Sequence, residues 1–229
     1  MLDTIVLVGR PAAGKSEIID YLTSLDAGER TRRLRMGPVQ VIDDFPFLWE
    51  KFEEDRILAS HGRPRVWTDD RLYFTDDFFW TLMIEKINLA FRKGLLGDPE
   101  GFGGRTKIIE FARGGSEGYA RAFATLCDEV AERARILYVK VPYEESERRN
   151  RRRARPGLED SILYHSLPDE KMRHYYRTDD WDRVSGGRAS GSIDVRGRKV
   201  PFAVFENDPE VTDDPAKLGP ALGKALSSL

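Results

Sequence analysis

Residues Thr4 to Ile19 read TIVLVGRPAAGKSEII, and this stretch decides the fold. Thr4–Val8 is short, β-branched and apolar, the pattern of a strand buried on both faces. It ends at Gly9, and after four more residues come Gly14, Lys15 and Ser16. The spacing is G-x-x-x-x-G-K-S. Glycines at these positions let backbone N–H groups turn inward around an anion. The helix expected over Lys15–Leu25 points its N-terminus at the same place. Lys15 then reaches the β- and γ-phosphates of a nucleotide, and Ser16 ligates Mg²⁺. Gly9, Ala12, Ala13, Gly14, Lys15, Ser16 and Glu17 are the expected nucleotide-binding residues.

Working outward, apolar runs and helical patterns alternate. Further strands are expected at Val39–Ile42, Lys107–Phe111, Ile136–Val141 and Phe202–Phe205. Helices are expected around Leu48–Ala59 and over Asp76–Lys93, Glu117–Arg133, Glu144–Arg155 and Pro215–Ser227. Gly94–Gly104 reads as a glycine-rich loop, with Gly101–Gly104 flexible. Alternation of this kind predicts βαβ units and a parallel five-stranded sheet with helices on both faces. About sixty residues separate the last two strands, too many for a simple crossover. Residues 142–198 are therefore read as a helical lid excursion with a small hairpin around Arg196-Gly197. No linker divides the chain, so residues 1–229 form one expected domain.

The 229 residues carry a formal net charge of −2, which does not favour a dedicated nucleic-acid binder. No apolar run approaches the ~20 residues a membrane helix needs. The start of the chain lacks the pattern of a secretory signal, so a cytoplasmic location is expected. A single cysteine, Cys127, allows no intrachain disulfide and reads as a small buried hydrophobe. Cys127 with His61, His165 and His174 makes no zinc site at any usual spacing.

Ligands of open α/β sheets bind beyond the carboxyl ends of the strands. Two such ends carry acids. VQVIDDF places Asp43 and Asp44 on opposite sides at the end of one strand, and KIIEF places Glu110 at the end of another. Phosphoryl transfer needs one group to orient or deprotonate an acceptor hydroxyl and an acid near the metal. Asp43 or Asp44 suits the first role and Glu110 the second. Downstream, PYEESERRNRRRAR holds six arginines within eight residues. Arg148, Arg152 and Arg155 share one helical face, with Arg149 and Arg153 on an adjacent one. Such a helix serves as a lid neutralising phosphate charge, as a nucleic-acid face, or as a solvated face paired with Glu144, Glu145 and Glu147.

In this order the motifs resemble the uridine kinase and nicotinamide riboside kinase group of P-loop kinases. The matching stretches are VIDDF (Val41–Phe45), IIEF (Ile108–Phe111) and VPYEESERR (Val141–Arg149), with echoes at His165, Pro168 and Tyr175-Tyr176. The resemblance implies that Asp43 is the base toward a sugar hydroxyl and that Glu110 supports the metal or the ribose. It further implies that Arg148, Arg149 and Arg153 meet the phosphates, and that the loop at Asn207 passes beside adenine. The glycine usual after the strand-end Glu is absent, and Phe111-Ala112-Arg113-Gly114-Gly115 stands there instead. Leu48–Gly104 finds no match.

The function expected is transfer of the γ-phosphoryl group of ATP, with Mg²⁺, to a hydroxyl of a small molecule, for which the resemblance implies a nucleoside-like acceptor. Catalytic roles fall to Asp43, Lys15, Glu110, Arg149 and Arg153; substrate contacts fall to Asp43, Asp44 and Arg113. In the unmatched stretch, Arg63, Arg65 and Arg71 could hold an anionic substrate, and Trp67 or Tyr73 could stack on a base. His165 and His174 read as structural. Two rivals are a kinase acting on a nucleic-acid end and a non-catalytic ATP-binding module read by a partner.

Overall fold

The computed structural model describes residues 1–153 and 167–229. Arg155, His165 and the middle of the expected lid lie outside these residues.

The chain begins with β1 (Thr4–Gly9), α1 (Lys15–Ser24), α2 (Ala27–Leu34) and β2 (Val39–Asp43). Then come α3 (Phe45–Ser60), α4 (Phe78–Gly97), α5 (Pro99–Gly103) and β3 (Thr106–Phe111). α6 (Gly118–Thr125) and α7 (Asp128–Ala131) lead into β4 (Ala134–Lys140) and α8 (Tyr143–Arg153). The remainder is α9 (Asp169–Tyr176), α10 (Trp181–Ser185), β5 (Ser190–Val195), β6 (Arg198–Glu206) and α11 (Pro215–Leu226).

The sheet has six strands in the order β2-β3-β1-β4-β6-β5, one more than the sequence suggested. β2, β3, β1, β4 and β6 run parallel, and β5 is an antiparallel edge strand. β5 escapes detection because SGSIDV is rich in small residues with weak strand preference, and only pairing with β6 makes it a strand. The hairpin turn falls at Arg196-Gly197 as expected, both residues having positive φ (54° and 77°).

All six residues of β1 are buried, and successive side chains feed two cores. Val6 and Val8 pack with Ile109, Phe111, Tyr138 and Trp181 on one side of the sheet. Ile5 and Leu7 pack with Ile18, Leu22, Leu137 and Leu218 on the other. The Trp181 indole lies flat on Tyr138, with centroids 4.2 Å apart and planes 2° apart. Helices thus cover both faces, which is what a parallel sheet requires.

Two further expectations are corrected. Gly94–Gly104 is not a loop: α4 continues to Gly97 and α5 occupies Pro99–Gly103, because Phe102 buries its ring edge-on against Phe91. The helix expected over Glu117–Arg133 breaks in two at Leu126, whose backbone is extended (φ −54°, ψ 140°). The Asn88 amide secures the break, donating to Thr125 O and accepting from Cys127 N. Cys127 itself is buried, as its sequence context suggested.

Candidate active site

The loop between β1 and α1 has its carbonyls turned into the protein. Lys15 Nζ donates to the Gly9 and Arg10 carbonyls, Ser146 Oγ to Pro11 O at 2.6 Å, and Asn207 Nδ2 to Ala13 O at 2.8 Å. Among the described residues, the N–H groups of Ala12, Gly14, Lys15 and Ser16 have no protein acceptor. A ring of unspent donors at a helix N-terminus is an anion cradle. Gly14 cannot be replaced within it. Its φ is +107°, and a Cβ there would stand 2.5 Å from Asn207 Nδ2 and 2.8 Å from Thr212 Oγ1.

The acids meet this cradle. Asp43 and Glu110 are partners in register on the neighbouring strands β2 and β3, so their side chains leave the same face of the sheet. Glu110 Oε1 lies 3.8 Å from Lys15 Nζ. Asp43 Oδ1 accepts from Phe45 N at 2.9 Å, and its carboxyl is pushed up to about 7. Burial is the main cause, with the nearby Glu110 and Asp44 charges adding to it. Burial likewise raises Glu110, while the Lys15 charge opposes the rise. Burial lowers the Lys15 ammonium, and Glu110 acts against that. Ser16 stands exposed at the first turn of α1.

Asp44 follows the end of β2 and is the N-cap of α3, with helical backbone angles (φ −81°, ψ −16°). It is buried and receives Arg113 Nη1 at 2.6 Å. Arg113 also donates to the Ala112 and Trp80 carbonyls and lies between the Trp80 and Phe111 rings. Arg113, taken from sequence as a substrate contact, is thus already held by protein on several sides. Removing one partner of a buried ion pair strands the other charge. Arg113→Ala should therefore lower unfolding free energy by roughly 3 kcal/mol, seen as a lower urea midpoint; an unchanged midpoint would show that Asp44 tolerates the loss.

Beyond Arg113 a cavity of about 300 Å³ opens between α4, α6 and α9, with Trp80, Thr81, Arg121, His174 and Tyr175 in its walls. The stretch from Arg63 to Arg71 does not reach the cradle in any contact. Asp55, buried in α3, draws in the N–H groups of Val66, Trp67 and Thr68 and the Thr68 hydroxyl. The Trp67 indole donates to Glu54, and Tyr73 packs on His174 and Tyr175.

Each described arginine of α8 has a protein carboxylate. Arg148 grips Glu145 with two 2.7 Å bonds; Arg151 pairs with Glu147 and Asp169, and Arg152 with Glu210. Arg149 is buried, donating to Glu145 at 2.6 Å and to Asn207 O at 2.7 Å, while its Nη1 keeps no hydrogen bond. Arg153 pairs with Glu17 at 2.8 Å, and its charge is felt by both Lys15 and Glu110. Asn207 has both backbone groups engaged, its N–H with Lys140 O and its carbonyl with Arg149, and its side chain holds Ala13 O. Sequence reasoning did not find Ser146, Asn207's grip on the loop or Trp80. Their only signal was polar or aromatic identity, which distance in sequence hides.

A strand, a cradle of free N–H groups and a helix at the centre of a doubly covered parallel sheet settle the architecture. The chain carries an α/β fold built on a mostly parallel sheet. No family model matches it, and no curated protein matches it in sequence. TT1252 from Thermus thermophilus matches in structure with a TM-score of 0.50 at 17% identity, over 99% of this chain and 97% of that one. A sugar kinase from Janibacter sp. HTCC2649 matches with a TM-score of 0.47 at 12% identity, over 100% and 96%. Shikimate kinase from Acinetobacter baumannii, solved with shikimate, matches with a TM-score of 0.36 at 15% identity, over 76% and 75%. At such identities the likeness is one of fold. Among the described residues, no helix is long and apolar enough to cross a membrane.

Proposed function

We propose that this chain transfers the γ-phosphoryl group of ATP to a hydroxyl of a small molecule, with Asp43 as the general base. One observation carries the reading: a carboxyl with its pKa near 7 shares a strand-end face with the Glu110 that neighbours Lys15 in the phosphate loop. A base poised near neutral pH accepts a proton from an alcohol as the bond to phosphorus forms. A module that only binds nucleotide has no use for such a group.

Mg²⁺ fits the donor set. Among the described residues, no three acids, histidines or cysteines converge into a self-sufficient metal cage. The Ser16 hydroxyl and the Glu110 carboxylate are hard oxygen donors of the kind this ion takes, alongside water and the nucleotide's own oxygens. When bound, it would supply charge neutralisation on the phosphates. The chain does the rest. The free N–H groups and Lys15 hold the phosphates, Asp43 holds the acceptor proton, and Arg153, freed from Glu17, brings a cation toward the moving group. Arg149, whose buried Nη1 lies 3.7 Å from Glu210, would have to leave that carboxylate to meet the phosphates. The small-molecule acceptor is expected on the Asp43–Asp44 side, and its kinship to nucleosides rests on the resemblance at VIDDF and VPYEESERR.

The test is a transfer screen with γ-labelled ATP, Mg²⁺ and pooled nucleosides, vitamins and sugars, with an oligonucleotide kept apart. Label in a small molecule supports the reading; label only on the oligonucleotide, or ATP binding without any transfer, overturns it. The pH profile gives a second check. Asp43 must be ionised to act, so kcat/KM should rise about tenfold per pH unit below about 7 and flatten above it. A rate independent of pH between 5 and 8 would remove Asp43 from the role.

A further inference from the structure

Three consecutive residues between α9 and α10 hold three separate pieces of the site. Asp180 caps α6, accepting from Tyr119 N at 2.8 Å and Ala120 N at 3.0 Å, with Arg183 alongside at 3.0 Å. Thr178 O accepts from Gly115 N at 2.8 Å. Asp179 Oδ2 receives Arg10 Nη2 at 2.7 Å and the Tyr138 hydroxyl at 3.2 Å, and its Oδ1 accepts from Trp181 N at 3.0 Å.

Arg10 is the second residue of the phosphate loop, yet its side chain points away from the cradle. Its Nε donates to Tyr176 O at 3.2 Å and its Nη1 to Val141 O at 3.1 Å. The guanidinium fork is thus shared among the Asp179 carboxylate, the end of α9 and the exit of β4. Arg10 and Asp179 are 15% and 8% exposed. Burying such a pair costs desolvation that two apolar residues would avoid. What the pair supplies instead is direction, because a planar fork accepts only one orientation of its partners.

The same segment continues to the acid side. Gly114 lies against Tyr175 so closely that a Cβ would stand 2.0 Å from Tyr175 O. Gly114 and Gly115 follow Arg113, and Arg113 holds Asp44, the neighbour of Asp43. A run of packed and hydrogen-bonded contacts therefore joins residue 10 to residue 44 through residues 175–179.

We infer that Asp179 is a positioning residue: through Arg10 it fixes the phosphate loop in its nucleotide-binding register, and through its own backbone neighbours it ties that register to the strand-end acids. The role rests on the loop binding a nucleotide, as proposed above. It touches neither nucleotide nor acceptor.

The experiment measures the affinity of the full chain for a fluorescent ATP analogue with Mg²⁺, well below the melting temperature of each variant. The variants are Asp179→Asn, Arg10→Ala and the double substitution, with Arg10→Lys in reserve should a variant not fold. Each single change should weaken binding about tenfold, the effect of losing roughly one charge-assisted contact (about 1.4 kcal/mol). The double variant should bind no worse than the weaker single, because both remove the same link. Arg10→Lys keeps the charge without the fork and should fall between wild type and Arg10→Ala. A pair that merely stabilises the fold would lower the melting temperature and leave the affinity of the folded protein within twofold of wild type. That outcome overturns the role, as do single effects that multiply in the double variant. Wild-type protein that binds no nucleotide at all sinks the phosphate-loop reading itself, and is told apart because no variant is needed to see it.

Discussion

Asp43→Asn should lose phosphoryl transfer by about 10²–10⁴-fold and, without ligands, should melt at a higher temperature than wild type. The two effects share one cause. The folded chain places the Asp43 carboxyl where burial and neighbouring acids raise its pKa from 3.8 to about 7. In the unfolded chain it ionises near its ordinary value. Between those values the folded state binds the extra proton, so folding stability falls as pH rises from about 4 to about 7. Above 7 both states are ionised and the full penalty stands, up to about 4 kcal/mol for a shift of this size. Asparagine keeps the shape and can still accept from Phe45 N, but carries no charge to desolvate. The gain in melting temperature should be largest at pH 8 and should vanish toward pH 4. A variant no more stable than wild type at pH 8 would mean that the carboxylate is not strained by its site. A transfer rate within a few-fold of wild type would remove it as the base.

Lys15→Met should have an effect of similar size on nucleotide handling, a loss of about 10²–10³-fold in transfer. The ammonium is buried, and burial has already lowered its pKa against the pull of Glu110. Its Nζ donates to the Gly9 and Arg10 carbonyls of its own loop and stands 3.8 Å from Glu110, the position a phosphate-binding lysine would hold. Methionine removes the buried charge and keeps most of the volume, so the melting temperature should move by only a few degrees. Its absence should also show at Asp43. Lys15 holds the Asp43 and Glu110 carboxyls down, so the midpoint of the pH-stability curve should move upward in Lys15→Met. Transfer that survives at a tenth of wild type or better would mean that the lysine is not the phosphate ligand.

These two residues were readable from sequence for different reasons. Lys15 belongs to a motif whose spacing is local: strand, loop and helix are contiguous, and the chemistry follows from eight residues. Asp43 and Glu110 were readable because a strand's end is marked by the chain itself, an apolar run stopping at an acid. The position of Asp43 at a strand end was legible, but the raised pKa of its carboxyl was not. The raised pKa comes from burial beside Glu110, 67 residues away, and only the β2–β3 register puts the two together.

The arginines show the opposite case. Periodicity placed Arg148, Arg149, Arg151, Arg152 and Arg153 on one helix, and that helix exists. It could not tell that Arg149 is buried against Asn207 while Arg148 folds back on Glu145, because those partners are chosen by packing. Arg113, expected to touch substrate, is held by Asp44 and by the Trp80 carbonyl and ring. The pair is non-local, and no pattern in either segment announces it.

The sequence by itself determined the mostly parallel sheet covered on both faces, the glycine-bounded loop between β1 and α1, and the acids at two strand ends. Each of these rests on periods of two or 3.6 residues and on glycines at fixed short offsets, which are properties of neighbouring residues. Only the tertiary structure decided the sixth strand, the break before Cys127, the partners of the arginines and the hub at Thr178-Asp179-Asp180. Those depend on which surfaces meet once the chain is packed, and on the charge that burial makes costly there. A partly buried ion pair such as Arg10–Asp179 spans 169 positions of sequence, and neither member carries a local mark of the other.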